Sequence, residues 1–216
     1  MTTMDLFADL AAPAMQHIGA QALLLRGMAL DRAGALLQAL AHVQAQAPFR
    51  HMHTPGGRVM SVALTNCGGQ GWISDRYGYR YSSVDPGTGQ PWPAMPAVLA
   101  QLACEAAAEA GFDGFSPDAC LINRYVPGAR LSLHQDRDER DLNAPIVSVS
   151  LGMTATFLFG GHARTDRLQR WDLSHGDVLV WGGQDRLRYH GVLPLRDHAH
   201  PVVGRQRINF TLRKAG

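Results

Sequence analysis

Apolar residues recur at helical spacing near the start of this chain and at every second position near its end. Between 31 and 47, DRAGALLQALAHVQAQA sets Ala33, Leu36, Leu37, Leu40, Ala41 and Val43 at helical intervals, which predicts an amphipathic helix. A second helix is predicted from 96 to 110, ended by Gly111 just past its last turn. After Pro117 the pattern changes to short strands: LINRYV (121–126), LSLHQD (131–136), PIVSVSLG (145–152), ATFLFGG (155–161), GDVLVWGG (176–183) and RINFTLR (207–213). Glycine separates them. The fold class predicted is mainly β with flanking helices, its strands forming an antiparallel jelly roll, the double-stranded β-helix. Residues 51–93, with TPGG, CGGQGW, DRYGYRYS and DPGTGQPWP, read as strands and turns carrying exposed aromatic side chains. The expected organisation is a flexible tail at 1–15, an N-terminal part at 16–116 that holds the helices and the aromatic lobe, and a jelly-roll core at 117–216, together one compact unit.

The same alternation sorts side chains into faces. In LSLHQD, His134 and Asp136 are two apart and leave a strand on one side, and His190 follows after 53 residues. Two imidazoles and one carboxylate on one side of an ion leave its other positions open, the arrangement of non-haem Fe(II) oxygenases. In the last strand Arg207, Asn209, Thr211 and Arg213 share one face, and Ile208, Phe210 and Leu212 share the other. The apolar face predicts core and the polar face a cavity. Two arginines pointing inward need an anion, and a dicarboxylate would satisfy both; Asn123 and Tyr125 share a face and would add neutral hydrogen bonds. Taken alone, R-x-N-x-T-x-R reads equally as a solvated edge strand. Joined to the H-x-D and distal histidine, the pattern favours the ligand. His51 with His53 and His198 with His200 repeat the spacing without a carboxylate on the same face, and all four are read as surface residues.

Composition narrows the class. Of 216 residues, 46% are hydrophobic and 18% charged, which excludes a disordered or fibrous chain. A net charge of +2 is too mild to establish a nucleic-acid partner by itself. Three widely spaced cysteines, Cys67, Cys104 and Cys120, form neither a disulfide framework nor a thiolate zinc site. A reducing cytoplasm fits them, and the sequence predicts no signal peptide and no membrane span.

NRYVPGARLSLHQDRDE at 123–139, the distal His190 and RINFTLR at 207–213 closely resemble the AlkB family of Fe(II)- and 2-oxoglutarate-dependent nucleic-acid demethylases. TPGG, MSVALTNCG, Gly71-Trp72, Tyr79-Arg80-Tyr81, PWPAMP and HGDVLVWGG resemble its bacterial members, so that the likeness runs from about 22 to 213. The resemblance implies that His134, Asp136 and His190 are the catalytic Fe(II) ligands. It implies that 2-oxoglutarate is held by Arg207, Asn123, Tyr125 and Asn209, with Arg213 nearer the metal. With O2 as the other co-substrate, the reaction would give succinate, CO2, formaldehyde and the repaired base. The substrates implied are 1-methyladenine and 3-methylcytosine in single-stranded DNA, in duplex DNA by base flipping, and in RNA, acted on by a monomer. The lobe at 51–93 would then be a nucleotide-recognition lid. In it Trp72 would stack on the base opposite His134, and Tyr79, Arg80 and Tyr81 would meet the strand near the lesion. Asp138 would read the exocyclic amino group, and Arg164 would contact base or phosphate. The alternatives are a 2-oxoglutarate oxygenase acting on tRNA, protein or a small molecule, and a binding module that keeps a metal without turnover.

Overall fold

The computed structural model describes residues 14–216. A hairpin of β1 (Met15–Gly19) and β2 (Ala22–Leu25) opens it. A single 3-10 turn then leads into α1 (Ala33–Gln46). Next come β3 (Arg50–His53), β4 (Val59–Gly68), β5 (Gly71–Asp75), β6 (Gly78–Ser82) and α2 (Ala97–Glu109). The remaining strands are β7 (Ala119–Tyr125), β8 (Leu131–His134), β9 (Ile146–Gly152), β10 (Ala155–Phe159), β11 (Gln169–Leu173), β12 (Val178–Trp181), β13 (His190–Val192) and β14 (Arg207–Arg213). Both expected helices form, and the second ends before Gly111, whose φ of 82° is the left-handed stop. Residues 1–13 of the expected tail lie outside the described residues. Met15, placed by sequence in that tail, instead pairs with Leu25 and belongs to a strand.

Eight strands form one antiparallel sheet in the order β1-β2-β12-β9-β14-β7-β4-β3, and β11-β10-β13-β8 form a second. The large sheet draws strands from both sides of residue 117. It is covered on both faces, which is why all seven residues of β14 and all seven of β9 are buried. On one face Ile208, Phe210 and Leu212 pack with Val147, Val149 and Leu151 against Leu36, Leu40, Leu99 and Leu102 of the helices. On the other, Tyr125, Ile146, Leu179 and Trp181 meet Phe157, Phe159 and Val192 of the small sheet. The mainly β fold with flanking helices is the one the sequence predicts. Phe210 is fully buried in the helix-side core, so Phe210→Ala should cost about 3–5 kcal/mol in denaturant unfolding. A loss below about 1 kcal/mol would place that strand face outside the core.

The third sheet is the β5-β6 hairpin, packed through Ile73 onto Leu64 and Leu121 of the large sheet. Leu121 shares its strand face with Asn123 and Tyr125. The hairpin therefore stands beside the inner, polar face of β14 and β7, where the site lies.

Candidate active site

His134 and His190 are cross-strand partners of β8 and β13, and their ring centroids lie 4.3 Å apart. Strand β8 ends at His134, so Asp136 comes from the irregular chain beyond it and not from the strand face the H-x-D spacing predicts. Its carboxylate still reaches the pair: Oδ1 lies 3.6 Å from Nε2 of His134, and Oδ2 lies 3.7 Å from Nε2 of His190. One ligand atom from each of the three fits within 4.8 Å of the others. Each imidazole is fixed from behind, Nδ1 of His134 facing the Ser132 carbonyl at 2.8 Å and Nδ1 of His190 that of Arg188 at 3.0 Å. A carbonyl only accepts, so Nδ1 carries the hydrogen and the Nε2 lone pairs point to the shared centre. Burial, then the neighbouring His134, push His190 down to about 4, which keeps its ring neutral at pH 7. Burial opposes the charge on Asp136, but Arg213 and the two imidazoles outweigh it and hold the carboxyl well below the usual range. This donor set fits a divalent iron with open positions.

Arg213 bonds Oδ2 of Asp136 through Nη2 at 2.7 Å and Nε at 3.1 Å, and its Nε lies 3.3 Å from Oε1 of Glu139. Burial works against its charge, yet the surrounding Asp136, Tyr81 and Glu139 hold it protonated above the ordinary range. Arg207 is different. It is 1% exposed, Nη2 donates to Ser150 Oγ at 2.8 Å, and Nε and Nη1 have no partner among the described residues. The hydroxyl of Tyr125, its cross-strand partner, is likewise unpaired there. Burial pushes Arg207 below its normal value, as it does any cation removed from water. Three unpaired donors in a buried wall fit a carboxylate. Asn123 donates to Oδ1 of Asn209, which also accepts from Thr211, while Asn209 donates to Ser148 and to the carbonyl of Val149. Asn209 is thus engaged by protein rather than free for the ligand contact expected of it.

On the hairpin, Trp72, Tyr79 and Tyr81 share one face, and Ile73 and Arg80 the other. Arg80 is not brought to the site: it pairs with Asp75 on the far face, because it lies one residue out of phase with the tyrosines. Tyr81 also departs from expectation, its hydroxyl donating inward to Oε1 of Glu139 at 2.6 Å instead of facing a strand outside. Tyr79 stacks on Trp72 at 5.5 Å and is exposed. The indole N–H of Trp72 donates to Oδ2 of Asp138 at 2.8 Å. Arg164 is exposed with its guanidinium 5.8 Å over the ring of Tyr189, the neighbour of His190.

Sequence reasoning missed Glu139, Arg186 and Asn66. Buried Arg186 donates to the Asp136 carbonyl at 2.6 Å and to Oε2 of Glu139 at 3.0 Å, tying the ligand loop to the core. Nothing local marks an arginine as buried, although Glu139 stands inside the HQDRDE run. Of the histidines set aside, His51, His53 and His198 are exposed, whereas His200 is half-buried and stacks on His175 at 4.3 Å.

The model of the 2OG-Fe(II) oxygenase superfamily matches residues 21–213. Alpha-ketoglutarate-dependent dioxygenase AlkB of Escherichia coli is 55% identical over 99% of this chain and 98% of its own. The protein of that name from Salmonella typhimurium is 55% identical over 98% of both. A solved structure of OsALKBH1 superposes with a TM-score of 0.80 at 26% identity, over 93% of this chain and 99% of that one.

Proposed function

This chain belongs to the AlkB family of the 2OG-Fe(II) oxygenase superfamily and is a dioxygenase that uses Fe(II), 2-oxoglutarate and O2, and we propose that it repairs alkylated nucleic acid by oxidative demethylation. Its substrates are 1-methyladenine and 3-methylcytosine in single-stranded DNA, in duplex DNA after base flipping, and in RNA. It acts as a monomer in the cytoplasm, where its three free cysteines stay reduced. The observation that carries this reading is the pairing of the His134, Asp136 and His190 cluster with the buried, unpaired donors of Arg207 and Tyr125. One set suits the iron and the other the far carboxylate of 2-oxoglutarate.

Bound iron with 2-oxoglutarate and O2 supplies the oxidising power that turns an N-methyl group into N-hydroxymethyl, with succinate and CO2 as co-products. The protein's residues do the rest by placement. His134 and His190 hold neutral lone pairs toward the centre through their backbone-bound Nδ1 atoms. Arg213 keeps Asp136 ionised and aimed. Arg207 and Tyr125 fix the co-substrate at its distal end. Trp72 and His134 hold the damaged base between them, and Tyr79 stacks on the indole at 5.5 Å. Asp138 accepts from the exocyclic amino group. The hydroxymethyl product loses formaldehyde to water and restores the pairing edge.

Incubating a short single-stranded DNA bearing one 1-methyladenine with protein, Fe(II), 2-oxoglutarate, ascorbate and air should remove one methyl mass. The loss should require 2-oxoglutarate. Succinate formed without loss of the methyl would keep the oxygenase and reject this substrate.

A further inference from the structure

Trp72 is held from three directions. Its backbone N–H donates to Oδ1 of Asn66 and its carbonyl accepts from Nδ2 of that side chain, each at 3.0 Å, and Asn66 is fully buried. Tyr79 covers one face of the indole, and Nε1 reaches Oδ2 of Asp138. Stacking on a base requires only the ring plane, which any aromatic residue supplies. The bond to Asp138 requires the indole N–H. Asp138 stands exposed in the irregular chain after β8, and among the described residues this indole is its carboxylate's one hydrogen-bond partner. Neither burial nor secondary structure fixes its rotamer.

We infer that the indole N–H of Trp72 is a positioning group for base selection: it occupies Oδ2 of Asp138 and aims Oδ1 at the exocyclic group of the methylated base. The inference rests on the reading of Asp138 and of the substrate given above. A carboxylate oxygen accepts and does not donate. Held in place, it binds an amino N–H on the base and repels an oxo oxygen at that position. Without the indole N–H the side chain turns toward water, and amino and oxo bases are met alike. One tryptophan thereby supplies both the stacking plane and the orientation of the acceptor, while the buried amide of Asn66 registers it on the hairpin.

The test uses two single-stranded DNAs identical except for one base, 3-methylcytosine or 3-methyluracil, which differ in the amino or oxo group on the pairing edge. The quantity read is the ratio of kcat/KM for the two, in the wild-type protein, Trp72→Phe, Asp138→Ala and the double variant. Phenylalanine keeps a stacking ring, and a change in stacking that acts apart from Asp138 multiplies with the Asp138→Ala effect in the double variant, whereas loss of the N–H bond does not. Trp72→Phe should reduce the amino preference roughly tenfold, Asp138→Ala by a similar factor, and the double variant no further than either alone. Denaturant unfolding of each metal-free variant, with a midpoint near that of the wild type, shows that it has a folded core. A Trp72→Phe ratio equal to wild type, or single effects that multiply in the double variant, overturns the inference while leaving the repair reading intact. Wild-type protein that demethylates neither oligonucleotide overturns the repair reading and the inference with it.

Discussion

Asp136→Ala is expected to lower demethylation by more than about a hundredfold, since partners one layer beyond a metal ligand already cost 10–100-fold when removed. The carboxylate does two things at once. In the proposed reading it completes the ligand set with His134 and His190, and it pairs with the buried Arg213 at 2.7 Å. Alanine removes both, leaving Arg213 facing Glu139 alone. The metal-free protein should therefore lose stability, on the order of 3 kcal/mol, as for other buried pairs broken on one side. Iron titration and denaturant unfolding of the metal-free protein separate the two effects. Asp136→Asn, which keeps the shape and a hydrogen-bond acceptor for Arg213, should recover part of the stability and little of the turnover. An alanine variant that binds Fe(II) and turns over like the wild type would remove Asp136 from the metal site.

Arg207→Met is the complementary case, because stability and activity should move in opposite directions. Two guanidinium nitrogens of Arg207 have no partner among the described residues, so its charge is carried in the folded protein at a cost. Methionine fills similar space without the charge, and the co-substrate-free protein should gain stability, on the order of 1 kcal/mol. Loss of a charge-paired contact to the distal carboxylate should raise the KM for 2-oxoglutarate by roughly 30-fold to several thousandfold. At saturating 2-oxoglutarate kcat should change much less, because in the proposed reading Arg207 binds the distal carboxylate of the co-substrate and not the reacting methyl. A variant destabilised with its KM unchanged would make Arg207 a structural residue.

These two expectations draw on different amounts of tertiary information. The alternation in RINFTLR already puts Arg207 and Arg213 on one face. What it leaves open is whether that face meets water, and the second sheet over it settles the question. Nor does periodicity distinguish the two arginines. Their difference lies in the partners the fold gives each: Ser150 and Tyr125 of the two neighbouring strands for Arg207, against Asp136 and Glu139 of the chain beyond β8 for Arg213.

On the hairpin, period two is sufficient to send Arg80 away from Trp72, Tyr79 and Tyr81, but YGYRYS read as a motif hides that phase. Arg186 and Glu139 form a buried pair brought together from 47 residues apart.

The sequence by itself determined the two helices, six of the eight strands after residue 117 (β11 and β13 were not among them), the metal-binding types at 134, 136 and 190, and the face shared by the closing arginines. The helices, strands and shared faces rest on local periodicity, and the three ligand positions on residue chemistry and the resemblance of the segments that hold them, none of which needs knowledge of neighbours. Only the tertiary structure decided where β8 stops, which arginine keeps free donors, that Tyr81 turns inward to Glu139, and that Trp72 grips Asp138. Those outcomes depend on which polar group lies opposite another after two sheets and a hairpin close together. A buried donor takes the acceptor that the fold brings within about 3 Å, and no spacing along the chain encodes that distance.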